Sequence, residues 1–251
     1  LASAQTGTGK TAGFVLPMLH LLTQEPPQRK RNIRALILTP TRELAAQILE
    51  NAVEYGKHLD IRSMVIFGGV NQNPQVRALR NGVDILIATP GRLLDLHQQG
   101  ELSLRNVEFF VLDEADRMLD MGFLEDIEKV ISFIPKQRQT LLFSATYEEN
   151  IKELSKDILN DPTFKSVDTI HTESTIREEF IKTSRKDSVL LKLFSTYKPN
   201  SVIIFCNTKI KCDVLDTYLY DMGYDPLVLH SDFEQKTRDE IITLFSNKSY
   251  P

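Results

Sequence analysis

Ala4-Gln5-Thr6-Gly7-Thr8-Gly9-Lys10-Thr11, at the start of a chain of 251 residues, has the residue types needed to wrap a polyphosphate. Gly7 and Gly9 carry no Cβ, so the backbone there can bend into a nest of N–H groups aimed at phosphate oxygens. The helix that follows would add the positive end of its dipole. In such a loop Lys10 reaches the β- and γ-phosphates, and the Thr11 hydroxyl a Mg²⁺ ion. The usual pattern is G-x-x-x-x-G-K-[ST], and Ala4 stands in its first Gly position. Alone, the stretch could be a Gly-rich surface turn; the chain downstream decides for the phosphate loop.

From Gly9 onward the first two-thirds alternates short apolar runs with helical periodicity, the pattern of a parallel sheet covered by helices on both faces. The expected strands are 34–38, 63–67, 84–88, 109–112 and 140–143, each followed by a polar or Gly/Pro turn. Between them Leu44, Ile48, Ala52, Tyr55 and Leu59 form one helical stripe. Leu124, Ile127, Ile131 and Ile134 form a second, and Ile151, Leu154 and Ile158 a third. These stripes need be no more than core. The apolar run 14–22 is broken by Pro17 and His20, is too short for a bilayer and lacks a preceding basic stretch, so it reads as a buried helix.

Each expected strand carries its distinctive residues at its C-terminal end, the edge of an open α/β sheet where ligands bind. Phe109-Phe110-Val111-Leu112 ends abruptly in Asp113-Glu114-Ala115-Asp116. Carboxylates there call for a cation, so Asp113 is expected to hold Mg²⁺ and Glu114 to take a proton from the water attacking a γ-phosphate. The plainer alternative is an acidic helix start capped by Asp113. There is no Asn-Lys-x-Asp guanine reader and no Leu-Ser-Gly-Gly-Gln-type signature, which argues against a GTPase and a transporter ATPase.

Three other strand ends offer hydroxyls, guanidinium groups and bare backbone: Thr39-Pro40-Thr41-Arg42, Phe67-Gly68-Gly69 and Thr89-Pro90-Gly91-Arg92. Each alone is ordinary turn chemistry. Clustered on one face, they suit a sugar–phosphate backbone and ignore base edges. The net charge of −4 means that any nucleic-acid binding must come from such a local surface. The basic patch Arg29-Lys30-Arg31 with Arg34 reads as a solvated turn or a further nucleic-acid contact.

The motifs A-x-T-G-x-G-K-T, P-T-R-E-L-A (40–45), G-G, T-P-G-R, D-E-A-D and S-A-T (Ser144-Ala145-Thr146) stand in the order found in DEAD-box RNA helicases, and the chain resembles that family from Ala4 to about Arg238. The wording of the first part, including Arg117-Met118-Leu119-Asp120, is most similar to the bacterial RhlE type. Phe205-Cys206-Asn207-Thr208-Lys209 and Leu229-His230 further on are closer to the DbpA type. Ser231 departs from the Gly that usually follows that His. The resemblance implies a RecA-like domain over 1–165, a linker over 166–176, where the composition turns polar, and a partial second RecA-like domain over 177–251. It also implies a monomer using ATP and Mg²⁺, with Ala4 to Thr11 on the nucleotide and Lys10, Asp113 and Glu114 in catalysis. Thr11 and Asp113 would serve the metal. Pro40, Thr41, Arg42, Gly68, Gly69, Thr89, Pro90, Gly91, Arg92, Asn207, Thr208, Gln235 and Arg238 would lie on RNA. Asp116, Ser144, Ala145 and Thr146 would couple nucleotide state to strand separation.

In the second part, strands are expected at 179–183, 201–205 and 226–229. Helices are expected around Val189 to Tyr197, Leu215 to Met222 and Arg238 to Phe245. Cys206 and Cys212, the only cysteines, read as reduced core thiols, consistent with a cytoplasmic protein. The family pattern places an adenine reader before Leu1 and arginine fingers after Pro251, so the expectation is a chain cut at both ends, with weak ATP binding and little RNA-stimulated turnover. Two other readings stay open: a non-catalytic nucleotide- and RNA-binding module, and an ATPase acting on DNA, which the D-E-A-D spelling disfavours.

Overall fold

The computed structural model describes residues 1–3, 9–24, 31–166 and 177–247. The chain divides into two compact units, Leu1–His171 and Thr172–Pro251. In the first unit the elements are β1 (Ala2–Ser3), α1 (Lys10–Gln24), β2 (Ala35–Leu38), α2 (Arg42–Tyr55), β3 (Ser63–Ile66), α3 (Asn73–Arg80) and β4 (Ile85–Ala88). They continue as α4 (Pro90–Gln98), β5 (Phe109–Leu112), α5 (Ala115–Asp120), α6 (Leu124–Phe133), β6 (Gln139–Ser144), α7 (Glu149–Ile158) and β7 (Lys165–Ser166). All pairings are parallel, and the seven strands lie in the order β3-β4-β2-β5-β6-β1-β7.

The central strands are apolar throughout because helices cover both faces. Leu36 lies in register between Leu86 and Phe110, and Ile37 between Ile87 and Val111. Successive side chains point to opposite faces, so Ala35 and Ile37 enter a core shared with α1 and α2, while Leu36 and Leu38 enter one shared with α3 to α7. Fully burying each such side chain stabilises by roughly 1.5–3 kcal/mol. The run at 14–22 is a helix as expected, with Phe14, Val15, Met18, Leu19 and Leu22 buried. Thr41 starts α2 by accepting a hydrogen bond from the Leu44 N–H at 3.3 Å, a cap worth about 1 kcal/mol.

Several expectations need correction. The stripe on α2 overran: the helix ends at Tyr55, and both Tyr55 and Leu59 are exposed. Lys165–Ser166 still belongs to the sheet, pairing with β1, so the polar stretch begins inside the fold. Residues 167–176, the rest of the expected linker, lie outside the described residues. The basic patch is no open surface at its described end. Arg31 pairs with Asp60 and Asp84, and the two guanidinium bonds from Arg34 to Glu108 measure 2.6 and 3.0 Å. These residues precede the strands, at the edge of the sheet opposite the candidate site; Arg29 and Lys30 are outside the described residues.

In the second unit the three helices are present as α8 (Lys186–Tyr197), α9 (Lys209–Asp221) and α10 (Gln235–Ser246). None of the three expected strands forms among the described residues. The period of two survives without the ladder: Val202, Ile204 and Cys206 are half-buried, whereas Ile203 and Phe205 are 61% and 91% exposed. A strand exists only where a neighbour satisfies its N–H and C=O groups, and apolar alternation cannot supply that neighbour. Among the described residues of this unit Leu215 and Leu219 of α9 are buried, and both cysteines are half-buried free thiols.

Candidate nucleotide and nucleic-acid site

Parallel strands bring all their C-terminal ends to one edge, and the strand order sorts those ends by chemistry. In sequence, β1 is followed by residues 4–11, β5 by Asp113-Glu114, and β6 ends in Ser144 ahead of Ala145-Thr146, and these three strands are neighbours. The turns after β3, β4 and β2 carry Gly68-Gly69, Thr89 to Arg92 and Thr39 to Arg42, and these three are neighbours on the other half of the sheet.

On the first half, Ala4, Gln5, Thr6, Gly7 and Thr8 lie outside the described residues. Gly9 has φ +82°, a left-handed value that glycine adopts without strain, and its carbonyl accepts from the Gly13 N–H at 3.0 Å. Lys10 and Thr11 form the first turn of α1 and are half-buried. Asp113 continues β5, donating its N–H to the Leu38 carbonyl at 3.0 Å, and is 2% exposed. Its Oδ1 accepts from the Glu114 N–H at 3.0 Å. Burial pushes its carboxyl up to about 6; the charge of Lys10 pulls the other way, while Glu114 and Asp116 add to the rise. A buried carboxylate that retains this much affinity for a proton suits a cation, and Mg²⁺ needs only one or two protein carboxylates beside water and phosphate. Among the described residues no group of three His, Cys, Asp or Glu side chains is placed to hold a metal ion.

Glu114 has φ +54° and ψ +50°, a left-handed conformation that costs a non-glycine residue about 1–2 kcal/mol. Its Oε2 accepts from Arg117 Nη1 at 3.3 Å. Asp116 Oδ2 gathers three donors from the end of β6: the Ala145 N–H at 3.1 Å, the Thr146 N–H at 3.0 Å and Thr146 Oγ1 at 3.2 Å. The aspartate two residues past Glu114 thus ties α5 to the Ser-Ala-Thr turn. Ser144 is buried in register with Ser3, where the chain leaves the sheet toward the phosphate loop, and its hydroxyl has no partner among the described residues.

On the second half, Pro40 is buried, Thr41 caps α2, and Arg42 lies so close to Gly69 that a Cβ there would stand 2.3 Å from Arg42 Nη2. Gly69 has φ +74°. Thr89 and Pro90 begin α4, with Gly91 exposed. Arg92 faces inward, with 11% of its side chain exposed, and Nη2 donates to the Val70 carbonyl at 3.0 Å. In the second unit Asn207 and Thr208 are exposed, and Thr208 caps α9 by accepting from the Lys211 N–H at 3.2 Å. Arg238 is a half-buried residue of α10; the Gln235 side chain lies outside the described residues. Two residues with marked contacts, Arg117 and Gln75, had been assigned no role. A charged or amide side chain on a short exposed helix gives no signal until its partner is known.

Fold and site together define a RecA-like α/β domain with a nucleotide edge. The profile of the DEAD/DEAH box helicase family matches residues 1–154, and that of the helicase conserved C-terminal domain matches 185–251. The chain belongs to the DEAD/DEAH box helicase family. It is 40% identical over 253 residues to the ATP-dependent RNA helicase DBP2 of Encephalitozoon cuniculi, covering 99% of this chain and 51% of that protein. It is 40% identical over 250 residues to DBP2 of Candida albicans, covering 96% and 44%. The chain therefore spans about half the length of the curated relatives it matches. Among solved structures it resembles a DEAD box protein from the hyperthermophile Methanococcus jannaschii, with TM-score 0.61 and 35% identity over 99% of this chain and 66% of that one.

Proposed function

We propose that this chain is the nucleotide- and RNA-binding part of an ATP-dependent RNA helicase that clamps the sugar–phosphate backbone and opens short duplexes. The observation that carries the reading is the sorting of strand ends, phosphate chemistry after β1, β5 and β6 and backbone-binding chemistry after β2, β3 and β4, with Asp116 fastening the Ser144-Ala145-Thr146 turn to α5. Residues 4–11 hold the phosphates, Lys10 offsets their charge, and Thr11 and Asp113 hold Mg²⁺. Held by Thr11 and Asp113, Mg²⁺ would supply neutralisation of the charge that develops on the phosphates. Glu114 accepts the proton of the attacking water at its carboxylate. Thr41, Arg42, Gly68, Gly69, Thr89 and Gly91 offer hydroxyl, guanidinium and N–H donors to phosphates, supported by Pro40, Pro90 and Arg92. Asn207, Thr208, Gln235 and Arg238 extend that role to the second unit. The RhlE-like wording of the first unit, the DbpA-like wording of the second, a cytoplasmic location and a monomeric state belong to the same proposal.

The test is Glu114→Gln in the whole protein. Turnover is expected to fall by about 10²–10⁴ with ATP affinity intact, and stimulation of the unaltered protein is expected to be greater with RNA than with DNA of the same sequence. Unchanged turnover would remove Glu114 as the base, and equal stimulation by DNA would remove RNA as the preferred partner.

A further inference from the structure

The geometry points to Gln75 as a positioning residue that fixes the Gly68-Gly69 turn for binding a nucleic-acid backbone, an inference that rests on the RNA reading above. β3 is an edge strand, and its ladder ends at Ile66. One residue later the Gln75 amide, reaching back from α3, does what a neighbouring strand would do. Its Oε1 accepts from the Phe67 N–H at 3.2 Å, and its Nε2 donates to the Phe67 carbonyl at 3.1 Å. At the far end of the same turn Arg92 Nη2 holds the Val70 carbonyl at 3.0 Å. The turn is thus held at both ends by side chains from two helices, with the Arg42 guanidinium against Gly69 between them.

This arrangement fixes the backbone on either side of the two glycines without consuming their N–H groups. Neither has an acceptor among the described residues, Gly68 is half-buried, and Gly69 is exposed. An anionic phosphodiester oxygen is the acceptor that such donors beside a guanidinium would take. The chemistry of position 75 is narrow. Both an acceptor and a donor are needed on one planar group, which a primary amide supplies. A leucine of similar size supplies neither, and an ionised glutamate accepts from Phe67 but sets a negative oxygen against its carbonyl.

The experiment uses the whole protein with a fluorescent single-stranded RNA and a non-hydrolysable ATP analogue, comparing Gln75→Leu, Gln75→Glu and Arg42→Ala. Gln75→Leu is expected to raise the RNA Kd about tenfold while the analogue Kd moves less than about twofold. Gln75→Glu is expected to show the same deficit near pH ~8 and to lose part of it relative to the unaltered protein near pH ~5, where a glutamic acid begins to carry the missing donor. A merely structural role would not produce that pH-dependent rescue. If Arg42→Ala weakens RNA binding while Gln75→Leu does not, the positioning role is overturned and the RNA face stands. If neither affects RNA, the RNA reading of this face falls and takes the inference with it. If Gln75→Leu raises the RNA and analogue Kd values equally, the effect is general and the positioning role is overturned.

Discussion

Asp113 is a carboxylate held at 2% exposure beside two other acids, a placement unfavourable to its own ionisation. Its folded pKa of about 6 lies above the ordinary carboxylate value. The folded state therefore binds this proton more tightly than the unfolded state, and the associated stability is present at low pH and lost as pH rises through about 6. Between pH ~4 and pH ~7 that loss amounts to about 2–3 kcal/mol. In chelator and without nucleotide, Asp113→Asn should remove the loss, so that urea unfolding finds the variant more stable near pH ~7 and nearly equal near pH ~4. A variant equally or less stable at neutral pH would show that Asp113 ionises without strain. The place of Asp113 at the end of β5 was legible because an apolar run ended in acids. Gln75 was not, because its meaning lies in one backbone residue eight positions away.

At the scale of an element, the Phe67 to Val70 turn separates its two glycines sharply. Gly68 has open space where a Cβ would go. At Gly69 a Cβ would meet the Arg42 guanidinium at 2.3 Å, and the φ of +74° would strain any L side chain. Gly69→Ala should therefore cost about 1–2 kcal/mol from the backbone alone and displace Arg42, weakening RNA binding. Gly68→Ala should leave stability within about 0.5 kcal/mol. Thermal unfolding and RNA titration of the two variants check this, and equal effects would refute the packing account. The strands of the first unit were readable because each apolar run has a partner in the ladder, two for β2, β4, β5 and β6 and one for the edge strand β3. Those of the second were misread because 201–205 has the right alternation and no ladder. Hydrogen exchange of the 251-residue chain should accordingly show the β2, β4 and β5 amides protected at least ~10³-fold more than those of 202–205. Comparable protection would mean that a ladder forms there after all.

For the molecule as a whole, strand order is the fact that no local pattern disclosed. In sequence the nucleotide chemistry is split, with the phosphate loop ahead of the three backbone-binding strand ends and Asp113 to Thr146 after them, and the order β3-β4-β2-β5-β6-β1-β7 gathers each chemistry into its own half of one edge. Spatial separation implies energetic separability, since sites without shared partners add nearly independently. In the whole protein Lys10→Ala should raise the nucleotide Kd by about 10–100-fold, the loss of a charged phosphate contact, while nucleotide-free RNA binding changes little. Arg42→Ala should do the reverse. With single-stranded RNA it should also reduce the slope of log affinity against log salt by about 0.7, the signature of one lost phosphate neutralisation. The two effects should add in the double variant without nucleotide, because the contacts of Asp116 with the Ser144-Ala145-Thr146 turn lie within the nucleotide half of the edge and involve no residue of the other half. Non-additivity of Lys10→Ala and Arg42→Ala without nucleotide would mean that the two halves of this edge are energetically coupled despite their separation.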